Sequence, residues 1–577
     1  MKKTFSRVLS LVVALILILG LVACSKKTAD PTETTEAPGK ESNLTAPGEL
    51  PIVREPITLT AFAELSIATD QDWNKHHFLE WVKEKTNITL EITDFGAEDP
   101  KTKRNTLLAS NVYPDLFLTR YGAQFTTAEV ARYGQKEKIF VNLSPLIKEH
   151  GFYLKKIMEE RPDQFVASKA DDGNMYAFPI IREEISNIVN PQAWVNTDWL
   201  EAVGLDRPKT VDDFINMLRA FKEQDPGEIG KDNILPYTSN KTCRPGTFIM
   251  LAFTEIDLTG NTAFRTGKGK LEYAPATDEF REALKVLNSM CAEGLFDPNS
   301  FTSDFNSGIA ITSSGRVGVF ENQHLLCMDW EDPETYRKFQ LLTPLVGPKG
   351  EQNAGTVSDY FYNCNFFGAL TDRCKHPEAA LRFIDYWYSD EATLHKEYGK
   401  EGTVWVYNDD PKNVDVNGNK RLITYKNDGP RYKASHFGTS DMLFSAGPFN
   451  LNKDLYMSCL NGNLLDTCMT NNEEHGSEQV RYYLEGKANA PYRYEGVPAD
   501  MFMELSRMEE ILTIRPNLRA FFQQAYAEFV TGVRDPNSDA DWEKYIGELK
   551  GLDMEKYVQY YGEAWTAWKK EVDRVKK

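Results

Sequence analysis

The stretch "EQDPGEIGKDNILPYT", Glu223 to Thr238, has the spacing of a calcium loop with half its ligands missing. Asp225 holds the first loop position, Gly230 the sixth and Asn233 the ninth. Calcium takes about six to eight oxygens, mostly anionic. The third and fifth positions here are Gly227 and Ile229, and Ile234 follows the ninth. One carboxylate, one amide and a backbone carbonyl cannot fill such a shell. The expectation is a loop that keeps its turn without a metal, with Asp225 hydrogen-bonding the local backbone.

Other groups capable of chemistry are equally unpromising for catalysis. Glycoside hydrolysis needs two carboxylates about 5–10 Å apart. The doublets Asp171-Asp172, Glu183-Glu184 and Glu473-Glu474 do not supply them, because adjacent side chains diverge. The eight histidines are scattered, and His76-His77 reads as a surface pair on a helix. No H-E-x-x-H, G-x-S-x-G or phosphate-binding loop occurs. The net charge of -19 repels phosphate backbones, so nucleic acid is not an expected partner. No cofactor is implied. What remains is recognition: aromatic rings for apolar faces, and amides and charges for hydroxyls.

A chain of 577 residues needs more than one core. From Pro56 the pattern alternates: "PITLTAFA" strand, "DQDWNKHHFLEWVKEKTN" helix, "ITLEITDF" strand, "PKTKRNTLLASN" helix, "PDLFLT" strand. That order implies a parallel sheet with crossover helices, whose ligands bind beyond the strands' carboxyl ends. Thr119, Arg120 and Tyr121 lie at one such end, and Trp73 follows the first strand. Downstream, Thr210 to Asp213 fits a capping box before the apolar face Phe214, Met217, Leu218 and Phe221. "PEAALRFIDYWYSDEAT" reads as one helix, and the chain ends in a helix stopping at Gly532 and a helical pair broken near Gly551. Trp199, Trp387, Trp542, Trp565 and Trp568 sit at core spacing.

The N-terminus begins with Lys2, Lys3 and Arg7, then runs apolar to Ala23, the order of a secretory signal. Residues 1–23 are read as that signal and 24–55, rich in Thr, Glu, Pro and Gly, as a disordered tether. Beyond Cys24 seven cysteines remain; Cys364/Cys374 or Cys459/Cys468 are conceivable pairs, but free buried thiols are the expectation.

"LVAC", Leu21 to Cys24, resembles a bacterial lipobox, which implies cleavage before Cys24 and diacylation of its sulfur. The ordered set "YPDLFL", "DDGNMYAFP", "WVNTDWLEAVGLDRPKTVDDFINMLRAFKEQDP", "GRVGVFENQ", "KHPEAALRFIDYWYSDEAT" and "ADWEKYIGELKGLDMEKYVQYY" resembles the family 1 extracellular solute-binding proteins. The resemblance is greatest to the large lipoprotein branch serving carbohydrate ABC importers. It implies an α/β, two-lobed, periplasmic-binding-protein-like fold: each lobe a mostly parallel sheet flanked by helices, with the ligand cleft between. Lobe one would take 56–181 and 342–404, lobe two 182–341 and 405–577. The implied function is capture of a carbohydrate, an oligosaccharide, by cleft closure and delivery to ABC permease subunits. The protein would be a monomer lipid-anchored at the extracellular face of the bacterial membrane, with no catalytic residue and no metal. Trp73, Arg120, Tyr121, Arg182, Glu321, Asn322, Gln323, Asp359, Tyr360 and Trp405 are the candidate ligand contacts. Rival readings are a peptide-binding protein and a secreted glycoside hydrolase. In the branch this chain resembles, the helix after "PKTVDDF" often runs into a calcium loop, so the stretch at Asp225 marks ancestry.

Overall fold

The computed structural model describes residues 43–64, 73–96, 98–120, 123–183, 192–256, 263–322, 332–357, 365–426, 446–471, 477–498 and 500–577. The chain divides into two units, 1–43 and Leu44–Lys577, and every element below belongs to the second.

The first sheet collects Ile57–Ala63, Ile88–Phe95, Leu116–Leu118, Phe178–Pro179 and Phe366–Leu370. Alternation sets its two faces. Ala61, Ala63, Leu116 and Leu118 pack into one cluster with helices His77–Thr86 and Pro377–Tyr386, whereas Phe62, Phe117 and Phe366 pack into another with Phe125 and Phe140. The second sheet collects Gln192–Asn196, Leu235–Thr238, Val317–Asn322 and Phe339–Leu341. Its core takes in the face of helix Val211–Gln224, namely Phe214, Met217, Leu218 and Phe221, together with the C-terminal helices. The tryptophans Trp199, Trp387, Trp542, Trp565 and Trp568 are all buried.

Neither sheet is mostly parallel. In the first, Ile57–Ala63 runs parallel to both neighbours, but Phe366–Leu370 is antiparallel to Leu116–Leu118 and to Phe178–Pro179. In the second, only the pairing of Val317–Asn322 with Leu235–Thr238 is parallel. The reason lies in connectivity. Strands joined by crossover helices must run parallel, whereas strands that re-enter a sheet from the other lobe carry no such constraint.

Three further expectations change. The tether does not extend to residue 55: Ile52 and Val53 are buried, and Arg382 donates to the carbonyls of Ala46 and Glu49 at 2.8 and 2.9 Å. A buried guanidinium collecting carbonyls fixes a segment that has no aromatic anchor. The single helix expected over 377–393 is two, Pro377–Tyr386 and Asp390–Glu397, because Ser389 caps the second through the Ala392 N–H. Residues 405–577 do not share one core. Trp405, Ile423, Phe449, Leu455 and Val480 gather in a third cluster with Ile180, Phe367 and Leu394, these last from the first lobe, while Tyr494, Leu518, Tyr557 and Val572 join the core of the second sheet. Helix Ser477–Asn489 straddles the two: Val480 and Tyr483 face the third cluster, and Glu485 accepts from Trp194 Nε1 at 3.0 Å. The chain therefore passes between the sheets three times, after Arg182, between Leu341 and Phe366, and through this helix.

Candidate functional site

The carboxyl end of the first sheet gathers charge. Glu64 follows the first strand and is 5% exposed. The Arg120 N–H donates to its Oε2 at 2.8 Å. Burial pushes the Glu64 carboxyl up to about 7, against the opposing pull of that N–H and of the Arg120 and Arg104 charges. Arg104, fully buried, pairs with Glu129 and lies 4.2 Å over the Phe125 ring. Gln124 Nε2 meets Asn365 Oδ1 at 3.4 Å, at the entry of the returning strand. Lys396 is buried 3.3 Å from Glu397 Oε1 and 4.7 Å over Phe449. Burial holds its ammonium below the usual range; Glu397 opposes this, while Arg182 and Arg120 add to it by repulsion.

Opposite this end, residues of the first lobe meet the long helix Leu505–Thr531 across a cavity of about 510 Å³. Lys101, Gln124 and Thr126 line one wall; Asp500, Arg515, Arg519 and Gln523 line the other. Asp500 is bound to Arg515 at 2.6 Å. Cations, an acid and amides on opposing walls can hydrogen-bond a polyhydroxyl ligand from both sides. The lobes also touch beside the cavity: Ala128 and Ala131 pack on Met508, and the Phe366 and Phe502 rings lie 5.9 Å apart.

A second cavity, about 590 Å³, lies beside helix Tyr153–Glu160 and the turn at Asn452. Its walls come from the first lobe and from the third cluster packed on it, so closure between the two sheets would not bring them together. Its cations Lys156, Arg161 and Lys453 are matched by acids such as Glu160, Asp390 and Asp454.

The expected contacts fare differently. Arg120 stands at the first sheet's end, and Arg182 in the strand Ile181–Arg182, which pairs with Asn450–Leu451. Trp73 opens the turn Trp73–Lys75, but its side chain lies outside the described residues, as do Tyr121, Gln323, Asp359 and Tyr360. Glu321 is a correction. It is 0% exposed and accepts from Gly246 N at 2.8 Å, Phe248 N at 2.9 Å and the Tyr237 hydroxyl, so its oxygens serve the lobe's interior. Asn322 is buried too, with Cys243 Sγ donating to its Oδ1. The strand runs two residues further than "RVGVF", which carries both side chains inside. Trp405 is likewise internal, its Nε1 donating to the Gly399 carbonyl at 2.8 Å and its ring against His395. His76 is not on the surface: it is buried, and its Nδ1 accepts from Phe78 N at 3.2 Å. Glu64, Lys101, Gln124, Lys396 and Arg519 were missed. Only Glu64 carried a signal, as the first polar residue after a strand.

At the broken loop, Asp225 takes a left-handed conformation, φ 51°, ending helix Val211–Gln224. Its carboxylate accepts from Ile229 N at 3.0 Å and Gly230 N at 2.8 Å, and Asn233 turns its N–H to the Ile229 carbonyl at 2.7 Å. The turn is held by local hydrogen bonds. Among the described residues no three His, Cys, Asp or Glu side chains gather as metal ligands. Cys291, Cys374, Cys459 and Cys468 are free thiols, Cys243 donates to Asn322, and Cys327 and Cys364 lie outside the described residues.

The profile of the bacterial extracellular solute-binding protein family matches residues 64–394, more than half the chain. The chain belongs to this family. Within the solute-binding proteins it is similar to the fructooligosaccharide ABC transporter substrate-binding protein FusA of Streptococcus pneumoniae, 24% identical over 575 residues, 96% of this chain and 97% of the relative. Among solved solute-binding structures, an EF-hand mutant of S. pneumoniae FusA in complex with fructo-nystose aligns with TM-score 0.72 at 21% identity, covering 89% of this chain and 100% of that one. The alginate-binding protein AlgQ2, solved without calcium ion, aligns with TM-score 0.66 at 19% identity, covering 89% and 99%. These likenesses establish the two-lobed α/β fold. No helix among the described residues is long and apolar enough to cross a membrane.

Proposed function

We propose that this protein captures an oligosaccharide between its two lobes and delivers it to the permease subunits of an ABC importer. The observation that carries this reading is the match to FusA along nearly the whole of both chains. The cavity between Gln124 and Gln523 supports it, since its walls belong to different lobes. A ligand held by both walls favours the closed form by its differential affinity, and the closed form is what a permease would read. Arg120 and Arg182 would line the first lobe's side, with Trp73, Tyr121, Gln323, Asp359 and Tyr360 on the surrounding loops. The reading needs no catalytic residue and no metal.

The same proposal places a diacyl anchor on Cys24, with a monomeric body at the extracellular face of the bacterial membrane. Growth on a labelled fatty acid should label the wild-type protein and leave Cys24→Ala unlabelled; a wild type that took up no label would contradict the anchor.

Capture is tested by thermal shift and calorimetry with fructooligosaccharides, other oligosaccharides and peptides. A saccharide at about 100 times its dissociation constant should stabilise the protein by about 2.7 kcal/mol. Peptides that stabilise it while no saccharide does would replace this reading with the peptide-binding one.

A further inference from the structure

Helix Ser477–Asn489 carries Arg481 and Glu485 one turn apart, both buried. Glu485 Oε1 neutralises the guanidinium at 2.9 Å and also accepts from Trp194 Nε1, which ties the pair to the second sheet. The remaining donors of Arg481 reach backbone carbonyls of two bodies. Those of Tyr336, at 2.7 Å, and Phe339 belong to the second lobe. That of Met469, at 3.3 Å, belongs to the third cluster. This cluster is bound to the first lobe: Asn450 pairs with Ile181, and its Nδ2 donates to the Tyr388 carbonyl at 3.2 Å. Two more side chains of the second lobe end on the same spot. The Tyr336 hydroxyl donates to the Cys468 carbonyl at 2.5 Å, and Gln340 Nε2 to the Met469 carbonyl at 3.0 Å. The Tyr336 ring lies 4.5 Å from the guanidinium.

Buried hydrogen bonds restrict how the bodies move. Pulling these apart would leave a guanidinium and carbonyls unpaired in a dry interior. The contacts beside the cavity, Ala128 and Ala131 on Met508 and Phe366 on Phe502, are apolar, as is Ala167 in the second core. They can part without orphaning a donor. Rotation displaces atoms in proportion to their distance from its axis. The axis that preserves the hydrogen bonds therefore passes close to the Cys468 and Met469 carbonyls. A guanidinium suits this place, because its donors point in several fixed directions within one plane, whereas an ammonium donates from a single atom.

We propose that lobe closure pivots at the Cys468 and Met469 carbonyls, and that Arg481 is the positioning residue that holds the pivot. The proposal rests on the closure reading above.

The test measures distances between spin labels, carried by unnatural amino acids in the full chain. Thr106 and Asn517, exposed on helices Pro100–Ala109 and Leu505–Thr531, form a jaw pair; Glu334 and Asp466, exposed beside Tyr336 and Cys468, form a pivot pair. In the protein without saccharide the jaw-pair distribution should be at least about twice as wide as the pivot-pair one. Arg481→Lys should widen the pivot pair toward the jaw pair. Tyr336→Phe combined with Gln340→Leu should widen it too, and carries the test if melting curves show that Arg481→Lys does not fold. A pivot pair as wide as the jaw pair, or one that folded variants leave unchanged, would overturn the pivot and leave closure standing. A jaw distance unmoved by a saccharide that calorimetry shows to be bound would overturn closure as well.

Discussion

Glu321 shows how a single polar residue at a strand end is diverted from ligand to scaffold. Three donors converge on its carboxylate. Glu321→Ala would strand them in a dry interior, at a cost of about 3 kcal/mol, whereas Glu321→Gln keeps the shape and one acceptor and should cost less. Denaturant unfolding at pH 6 measures both. Burial raises this carboxyl, like that of Glu64, from the ordinary 4.5 to about 7. The native state then holds protons that the unfolded chain has released. Stability from these two groups is full below about pH 4.5 and is lost as pH rises through 7. Wild type should therefore lose stability across that window, and Glu64→Gln combined with Glu321→Gln should flatten the slope. The sequence announced a polar group after "RVGVF" but not its direction, because direction depends on where pairing with Gln192–Asn196 ends. The position of Arg120 was legible because it is local, two residues beyond the strand Leu116–Leu118.

At the scale of elements, local chemistry was the readable part. The box at Thr210 forms as its spacing demands: Thr210 Oγ1 accepts from Asp213 N at 3.1 Å, and Asp213 Oδ2 from Thr210 N at 3.0 Å. Thr210→Ala should cost about 1 kcal/mol by denaturant unfolding. The strand Ile88–Phe95, the stop at Gly532 and the break after Gly551 also follow their residues. Sheet polarity did not, since a run of three to five apolar residues carries no arrow. The Asp225 loop yields a sharper prediction. Its carboxylate already satisfies two backbone N–H groups, so adding or chelating calcium should leave the melting temperature unchanged. Asp225→Ala should lower stability by about 1 kcal/mol in calcium-free buffer. A calcium-dependent rise in melting temperature, lost in that variant, would reassign the loop to a metal.

For the whole molecule the measurable quantity is the balance between open and closed forms. The described lobes already touch through Ala128, Ala131 and Met508 and through the Phe366–Phe502 pair. Phe502→Ala removes one of these contacts outside the described cavity walls. It should shift the free protein toward open forms, raise its radius of gyration in solution scattering, and weaken ligand binding several-fold. The passage between Leu341 and Phe366 is equally constrained. A Cβ on Gly347 would lie 1.6 Å from the Ala252 carbonyl oxygen, so Gly347→Ala must push backbone from backbone. A clear loss of thermal stability is expected, several degrees by calorimetry.

The three passages between the lobes have a further consequence. One strand joining two bodies permits bending about any axis as well as twisting. Three spans restrict the twist of one body against the other more than a single span does. The jaws should then meet in the same register at each closure, without searching among misaligned approaches. A transporter that samples such a protein briefly at the membrane would meet one shape when it is loaded.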